Sequence, residues 1–131
     1  MEIKFKGRTY KLSFGFRFIN EIDRTNGTNI EHDGQSINFG NGLEMIVPML
    51  QNASIAHIGR VILAATSHYK QQAPTIDDLD EILNDIAENQ GLQAFADEVI
   101  EELGKQPMTQ NLVKQATEVE EEPKKKDKKE K

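Results

Sequence analysis

The chain has 131 residues, 37% of them hydrophobic and 29% charged, and no cysteine. That length suits one domain with one core, and the missing thiols remove disulfides, thiolate metal sites and a cysteine nucleophile together, as fits a reducing compartment. The net charge of -6 is unevenly spread, because residues 75–104 hold 10 acids and no Lys or Arg whereas residues 1–74 and 105–131 each carry a net +2; so acidic a block repels phosphate and argues against nucleic acid as a partner.

Residues 2–6 and 8–13 alternate in character, with Ile3, Phe5, Tyr10 and Leu12 at period two and Lys6-Gly7 between them as a turn, which predicts a β-hairpin. Two strands alone are marginal in water, so the apolar face of this hairpin needs a helix or further strands, from this chain or another subunit. From Phe14 the spacing becomes helical through Phe18, Ile19 and Ile22, and Asn26-Gly27 supplies a stop, giving a first helix over about 14–25. Residues 26–38 concentrate Asn, Gly, Thr, Asp and Ser around Ile30 and Ile37 and read as a long loop, either mobile or a binding surface.

Leu43, Met45, Ile46, Val47, Met49 and Leu50 predict a largely buried second helix over about 40–52. Pro48 inside it costs about 3 kcal/mol and predicts a kink or two short pieces. A third helix is expected from Ser54 as its cap, with Ile55, Ile58, Val61, Ile62, Ala65 and Tyr69 on one side, running to about Tyr69. The clearest start signal is Pro74-Thr75-Ile76-Asp77-Asp78, where Thr75 caps free N–H groups and the acids favour the positive end of the helix dipole. The fourth helix then carries Ile76, Leu79, Ile82, Leu83 and Ile86, and after Asn89 to Gly91 a fifth carries Leu92, Phe95, Ala96, Val99, Ile100 and Leu103, to be stopped by Gly104 and Pro107. Residues 75–104 thus read as a helical hairpin with one apolar and one acidic face.

Past Pro107 the large apolar residues thin out, and the run from Glu120 to Lys131 is charge of low complexity. Such a segment cannot offset about 1–2 kcal/mol per residue of backbone entropy, so disorder is expected from about residue 115. The expected architecture is α+β and mostly α: an N-terminal β-hairpin packed on a bundle of about five helices, one globular domain over residues 1–104, followed by a flexible charged tail over 105–131.

Little catalytic chemistry emerges. His57 and His68 stand eleven residues apart, about 16 Å of helical rise, too far to share a metal, and together with His32 in the polar loop they read as solvated side chains. Asp77, Asp78, Asp80, Glu81 and Asp85 lack the oxygen-rich loop with a central Gly that calcium sites use, and serve the helix dipole and solvation instead. Gly40-Asn41-Gly42 has neither an adjoining strand nor a lysine at the spacing of a phosphate loop. The lysines of 124–131 are interrupted by Asp127 and Glu130 and lack aromatic neighbours, as a solubilising tail would. No catalytic, cofactor-binding or metal residue is therefore assigned, and an enzyme is not expected. Met1 to Lys6 holds no apolar run long enough for a signal sequence, and no segment approaches the roughly 18 apolar residues of a membrane span, so the expectation is a protein neither secreted nor embedded.

Binding remains. Asp97, Glu98, Glu101 and Glu102 fall opposite Phe95, Val99 and Leu103, and like charges at i,i+4 mildly destabilise a helix. They read as a solvated face or, more sharply, as the docking face for a basic protein partner. The open edge of the hairpin is the candidate surface for self-association.

The run Met1-Glu2-Ile3-Lys4-Phe5-Lys6-Gly7-Arg8-Thr9-Tyr10-Lys11-Leu12, leading into Phe14-Gly15-Phe16-Arg17-Phe18-Ile19-Asn20-Glu21-Ile22-Asp23, resembles the tail assembly chaperones of long-tailed phages and prophages of Gram-positive bacteria. The resemblance implies a chaperone that coats and solubilises the tape measure protein in the host cytoplasm, helps recruit the tail tube protein, self-associates, and is absent from the mature virion, with no cofactor, nucleic acid or membrane involved. It also implies a longer form made by ribosomal frameshifting, for which adenine-rich codons at Lys124-Lys125-Lys126 and Lys128-Lys129 would suit. The alternative is a structural virion protein, a tail tube or head-tail connector subunit. A small DNA-binding regulator, built on the second and third helices, is a third reading, weakened because Arg60 is the only Lys or Arg between residues 25 and 69.

Overall fold

A computed structural model describes residues 1–26, 29–32, 35–38 and 42–116. Strands β1 (Glu2–Phe5) and β2 (Arg8–Lys11) pair antiparallel, Ile3 opposite Tyr10 and Phe5 opposite Arg8. Lys6 and Gly7 join them at φ 50 and 78, the two successive left-handed residues that match the twist of a two-residue hairpin. Period two puts Ile3, Phe5, Tyr10 and Leu12 on one face, and all four are buried in the common core, as the alternation predicts.

Helix α1 (Phe16–Asn26) buries Phe18 and Ile22, and the Phe14 and Phe18 rings meet edge to face at 5.0 Å. The stretch expected to be loop instead contains a second antiparallel hairpin, β3 (Asn29–His32) with β4 (Gln35–Asn38), a two-stranded sheet separate from the first. Asp33-Gly34 between two short segments that each carry one isoleucine is a strong two-residue hairpin signal within an otherwise polar stretch. Gly27, the expected stop of the first helix, and residues 117–131, most of the expected tail, lie outside the described residues.

Helix α2 (Gly42–Gln51) runs unbroken through Pro48. The two-piece alternative fails because Ile46, Val47 and Leu50 are fully buried, and that burial, at about 1.5–3 kcal/mol per side chain, outweighs one lost hydrogen bond. Its start is held from α1, where the Asp23 carboxylate accepts the N–H of Leu43 at 3.0 Å. Helix α3 (Ile55–Ala65) begins at Ser54 as expected but stops four residues short of Tyr69. Thr66 ends it: its buried hydroxyl donates to the Ile62 carbonyl at 2.7 Å, and the chain continues as a 3-10 segment (Ser67–Gln72) broken by Lys70 at φ 58. Tyr69 is thereby aimed at the hairpin, its ring edge-on to Tyr10 at 5.0 Å.

A 3-10 turn (Ile76–Asp78) leads into helix α4 (Leu79–Asn89), with Thr75 and Asp78 forming a capping box in which the Asp78 carboxylate accepts the Thr75 N–H at 2.9 Å. Ile76, expected on the apolar face, stays 72% exposed because this turn precedes the helix proper. Gly59 of α3 lets α4 approach closely, since a Cβ there would lie 3.2 Å from Leu79. Helix α5 (Leu92–Lys105) buries Phe95, Ala96, Val99 and Leu103 against α2 and α3. The result is the hairpin and bundle expected, with α1, α2, α3 and α5 around one core. Past Gly104 the chain stays on the body: Thr109 is fully buried, residues 110–116 are helical, and Leu112, Val113 and Ala116 pack on the core.

Candidate functional site

Gly91, at φ 98, joins α4 to α5, and its N–H bonds the Ile86 carbonyl at 2.7 Å. The helix period then turns Ile82, Ile86, Phe95, Val99 and Leu103 inward and the acids outward. Of the four predicted contact residues, Asp97, Glu98 and Glu101 are exposed and Glu102 is half-buried. Neutral amides hold two of them: Gln93 Nε2 donates to Asp97 Oδ1 at 3.0 Å, and Gln90 Nε2 to Glu98 Oε1 at 2.9 Å. Glu102 has the exposed Lys105 at 3.3 Å, and Glu101 has no partner among the described residues. Amides orient a carboxylate without cancelling its charge, so this face is negative and laterally ordered.

A second feature escapes sequence reading because it forms between distant segments. Two adjoining open depressions, of about 480 and 330 Å³, lie between β1 and α4 and share Lys4, Ile82 and Asp85. Their floor is apolar, from Ile3 and Phe5 of the hairpin to Ile82, Ile86 and Phe95. Their walls are oppositely charged, with Lys4, Lys6 and Arg8 on the hairpin and Glu81 and Asp85 on the helix. Lys6 sits 5.2 Å from the Phe5 ring centroid and Arg8 donates to Gln72 Oε1 at 3.0 Å, whereas Lys4 and Glu81 have no partner among the described residues. The one signal in the sequence was the excess of base in the hairpin over the solitary acid Glu2.

The hairpin register also fixes which backbone groups are spare. The Leu12 N–H bonds the Met1 carbonyl, so Ile3 with Tyr10 and Phe5 with Arg8 are the mutually bonded pairs, while the N–H and C=O of Glu2 and Lys4 point away from β2. On the opposite edge the outward N–H groups are those of Thr9 and Lys11; that of Lys11 is taken by the Tyr69 hydroxyl at 2.9 Å, and the Tyr10 hydroxyl donates to the Gln72 carbonyl at 2.9 Å. The β1 edge faces the depressions with no such cover among the described residues.

The histidines do not converge. His57 is half-buried with Nδ1 2.7 Å from the Ser54 hydroxyl, and burial, seconded by nearby Arg60, pushes its pKa below the ordinary histidine value. His68, expected on the third helix, is exposed on the 3-10 segment, its ring tilted at 41° to that of Tyr69 with centroids 4.3 Å apart. Among the described residues no group of three or more His, Asp or Glu side chains is placed to hold a metal ion, and no helix is long and apolar enough to cross a membrane. The Ser54 hydroxyl also accepts the His57 N–H as the cap of α3, so the Ser54–His57 contact belongs to the helix start, and the geometry offers surfaces for binding.

A family model described as phage tail assembly chaperone protein, TAC, matches residues 2–118. No curated protein and no solved structure matches the chain.

Proposed function

The chain belongs to the phage tail assembly chaperone family, and on that footing we propose that it binds the tape measure protein of a long-tailed phage or prophage of a Gram-positive host. It keeps that protein soluble in the host cytoplasm, promotes assembly of the tail tube protein around it, and is left out of the mature virion. The observation that carries this reading is the match over residues 2–118, which takes in the hairpin, the helices and the acidic face alike.

The physical features suit the task. A long helical partner exposes apolar stripes, and many copies of a small domain can cover them through weak multivalent contacts. Phe16 and Ile76, 70% and 72% exposed, are large apolar side chains available for such contacts. The negative α4 and α5 surfaces repel their equivalents on neighbouring chains, which limits indiscriminate aggregation of a crowded coat. Asp97, Glu98, Glu101 and Glu102 are the residues proposed to dock basic segments of the partner. A frameshifted longer form belongs to the same reading, and a gene lacking a slippery heptamer at the Lys124 to Lys129 codons would remove it.

Co-expression with the tape measure protein and affinity capture tests the proposal. Capture and recovery of soluble tape measure protein is expected, reduced when Asp97, Glu98, Glu101 and Glu102 are replaced together by their amides. Failure of both the short and any longer form to capture or solubilise it would overturn the reading.

A further inference from the structure

We infer that the β1 edge pairs with the β1 edge of a second copy of this chain, about a two-fold axis at Ile3, to give a four-stranded antiparallel sheet. The pairing deepens the many-copy coat proposed above and rests on that reading for its purpose, while its test does not depend on it.

Three observations lead there. The first is the row of spare groups: Glu2 and Lys4 each present an outward N–H and C=O, on an edge open to the depressions beside α4. A two-stranded sheet with one open edge is a template for strand addition.

The second is that the register is self-selecting. Outward groups must meet outward groups, so Glu2 and Lys4 can face only Glu2, Lys4 or the turn residue Lys6 of the other copy. Alignments with Glu2 or Lys4 on the axis put a like-charge pair at the centre, and one with Phe5 on the axis sets Lys4 against Lys6 twice; the Glu2–Lys6 pairs flanking the Lys4 axis fall on the turn residue at φ 50, outside the extended strand. Only the alignment with Ile3 on the axis sets Glu2 opposite Lys4 twice over. It also gives four backbone hydrogen bonds, two from each Glu2 and Lys4 couple. Ile3 and Ile3 then face each other in the closely spaced, non-bonded position, continuing the apolar underside of the sheet.

The third is the charge of the groove. The incoming hairpin brings Lys4, Lys6, Arg8 and Lys11 against a single acid, Glu2, to a wall carrying Glu81 and Asp85. A helical peptide would leave the spare backbone groups unpaired, and an acidic one would be repelled by that wall; another copy of this hairpin satisfies both.

Sedimentation velocity of the purified full chain across the micromolar range, at low and high salt, provides the test. A monomer–dimer equilibrium that weakens with salt is expected. Glu2→Lys and Lys4→Glu each convert both cross-strand pairs to like charges and should weaken the dimer by about tenfold or more. The double exchange, Glu2→Lys with Lys4→Glu, restores the pairs and the dimer. Mixing the two single variants should give a heterodimer that neither forms alone, a readout that general destabilisation cannot mimic. Lys4→Pro removes an outward N–H without touching the β1–β2 ladder and should be monomeric with an unchanged circular dichroism spectrum. The inference is overturned if the chain is monomeric throughout, if both single charge variants dimerise as the parent does, or if their mixture stays homotypic. Because these measurements use the isolated chain, their failure leaves capture of the tape measure protein standing, and failure of capture leaves the dimer standing.

Discussion

Replacing Thr109 by valine isolates one hydrogen bond on which the end of α5 depends. In an α-helix the carbonyl of residue i accepts from the N–H of residue i+4, and for Leu103 that residue is Pro107, which has none. The Thr109 hydroxyl takes the vacant role, donating to the Leu103 carbonyl at 2.6 Å. Both residues are fully buried, so water cannot substitute. Valine conserves the shape and one methyl, and the loss reduces to a stranded buried acceptor, about 1–3 kcal/mol. Taking about 2 kcal/mol, the melting midpoint should fall by about 8 °C for a domain of this size. Thr109→Ser keeps the donor and deletes one methyl, costing about 1 kcal/mol. Thermal and urea unfolding followed by circular dichroism would rank the two. A valine variant as stable as the parent, or more stable than the serine variant, would mean that packing and not the hydroxyl holds residues 105–116 to the body.

Other perturbations probe the fold at separate points. Phe18→Ala removes a fully buried ring and its edge-to-face contact with Phe14, and should cost about 3–5 kcal/mol in denaturant unfolding. Asp78→Ala opens the capping box ahead of α4 and should cost about 1 kcal/mol, whereas Asp77→Ala, lacking that bond, should cost less. His57 binds a proton less readily in the fold than in the unfolded chain, because burial and Arg60 lower its pKa, so the unfolded chain takes up the proton first. Its stabilising share is complete above pH 6.5, the ordinary histidine value, and is lost as pH falls from there through the lowered folded pKa. His57→Asn should flatten that part of the stability profile, and an unchanged slope would refute the assignment.

The first hairpin was legible because its alternation, Ile3, Phe5, Tyr10 and Leu12, coincides with a left-handed pair at Lys6-Gly7, so that pattern and turn chemistry agree. The capping box before α4 was legible for the same reason. The β3–β4 hairpin was missed because each strand carries a single apolar residue, Ile30 opposite Ile37, too few to show an alternation and leaving Asp33-Gly34 as the main cue. The early end of α3 was illegible because Tyr69 falls at helical spacing yet is recruited by β2, 58 residues earlier in the chain, through its hydroxyl on Lys11. The acidic face could be read directly, since it lies on one helix. The groove between β1 and α4 could not, because it exists only once residues 2–9 and 81–95 are brought together.

The hydroxyl of Tyr69 on the backbone of Lys11 has a consequence for stoichiometry. A hairpin with two equivalent open edges could be extended indefinitely, each added subunit exposing a fresh template, and the product would be a fibre of unlimited length. Here Tyr69 already takes one of the two outward N–H groups of the β2 margin, that of Lys11, whereas β1 keeps both of its own, so strand addition is directed to β1 and a β1–β1 pair closes at two. Growth along a long partner must then proceed in units of the closed pair and through other surfaces, and its extent is set by the length of the partner and not by the sheet.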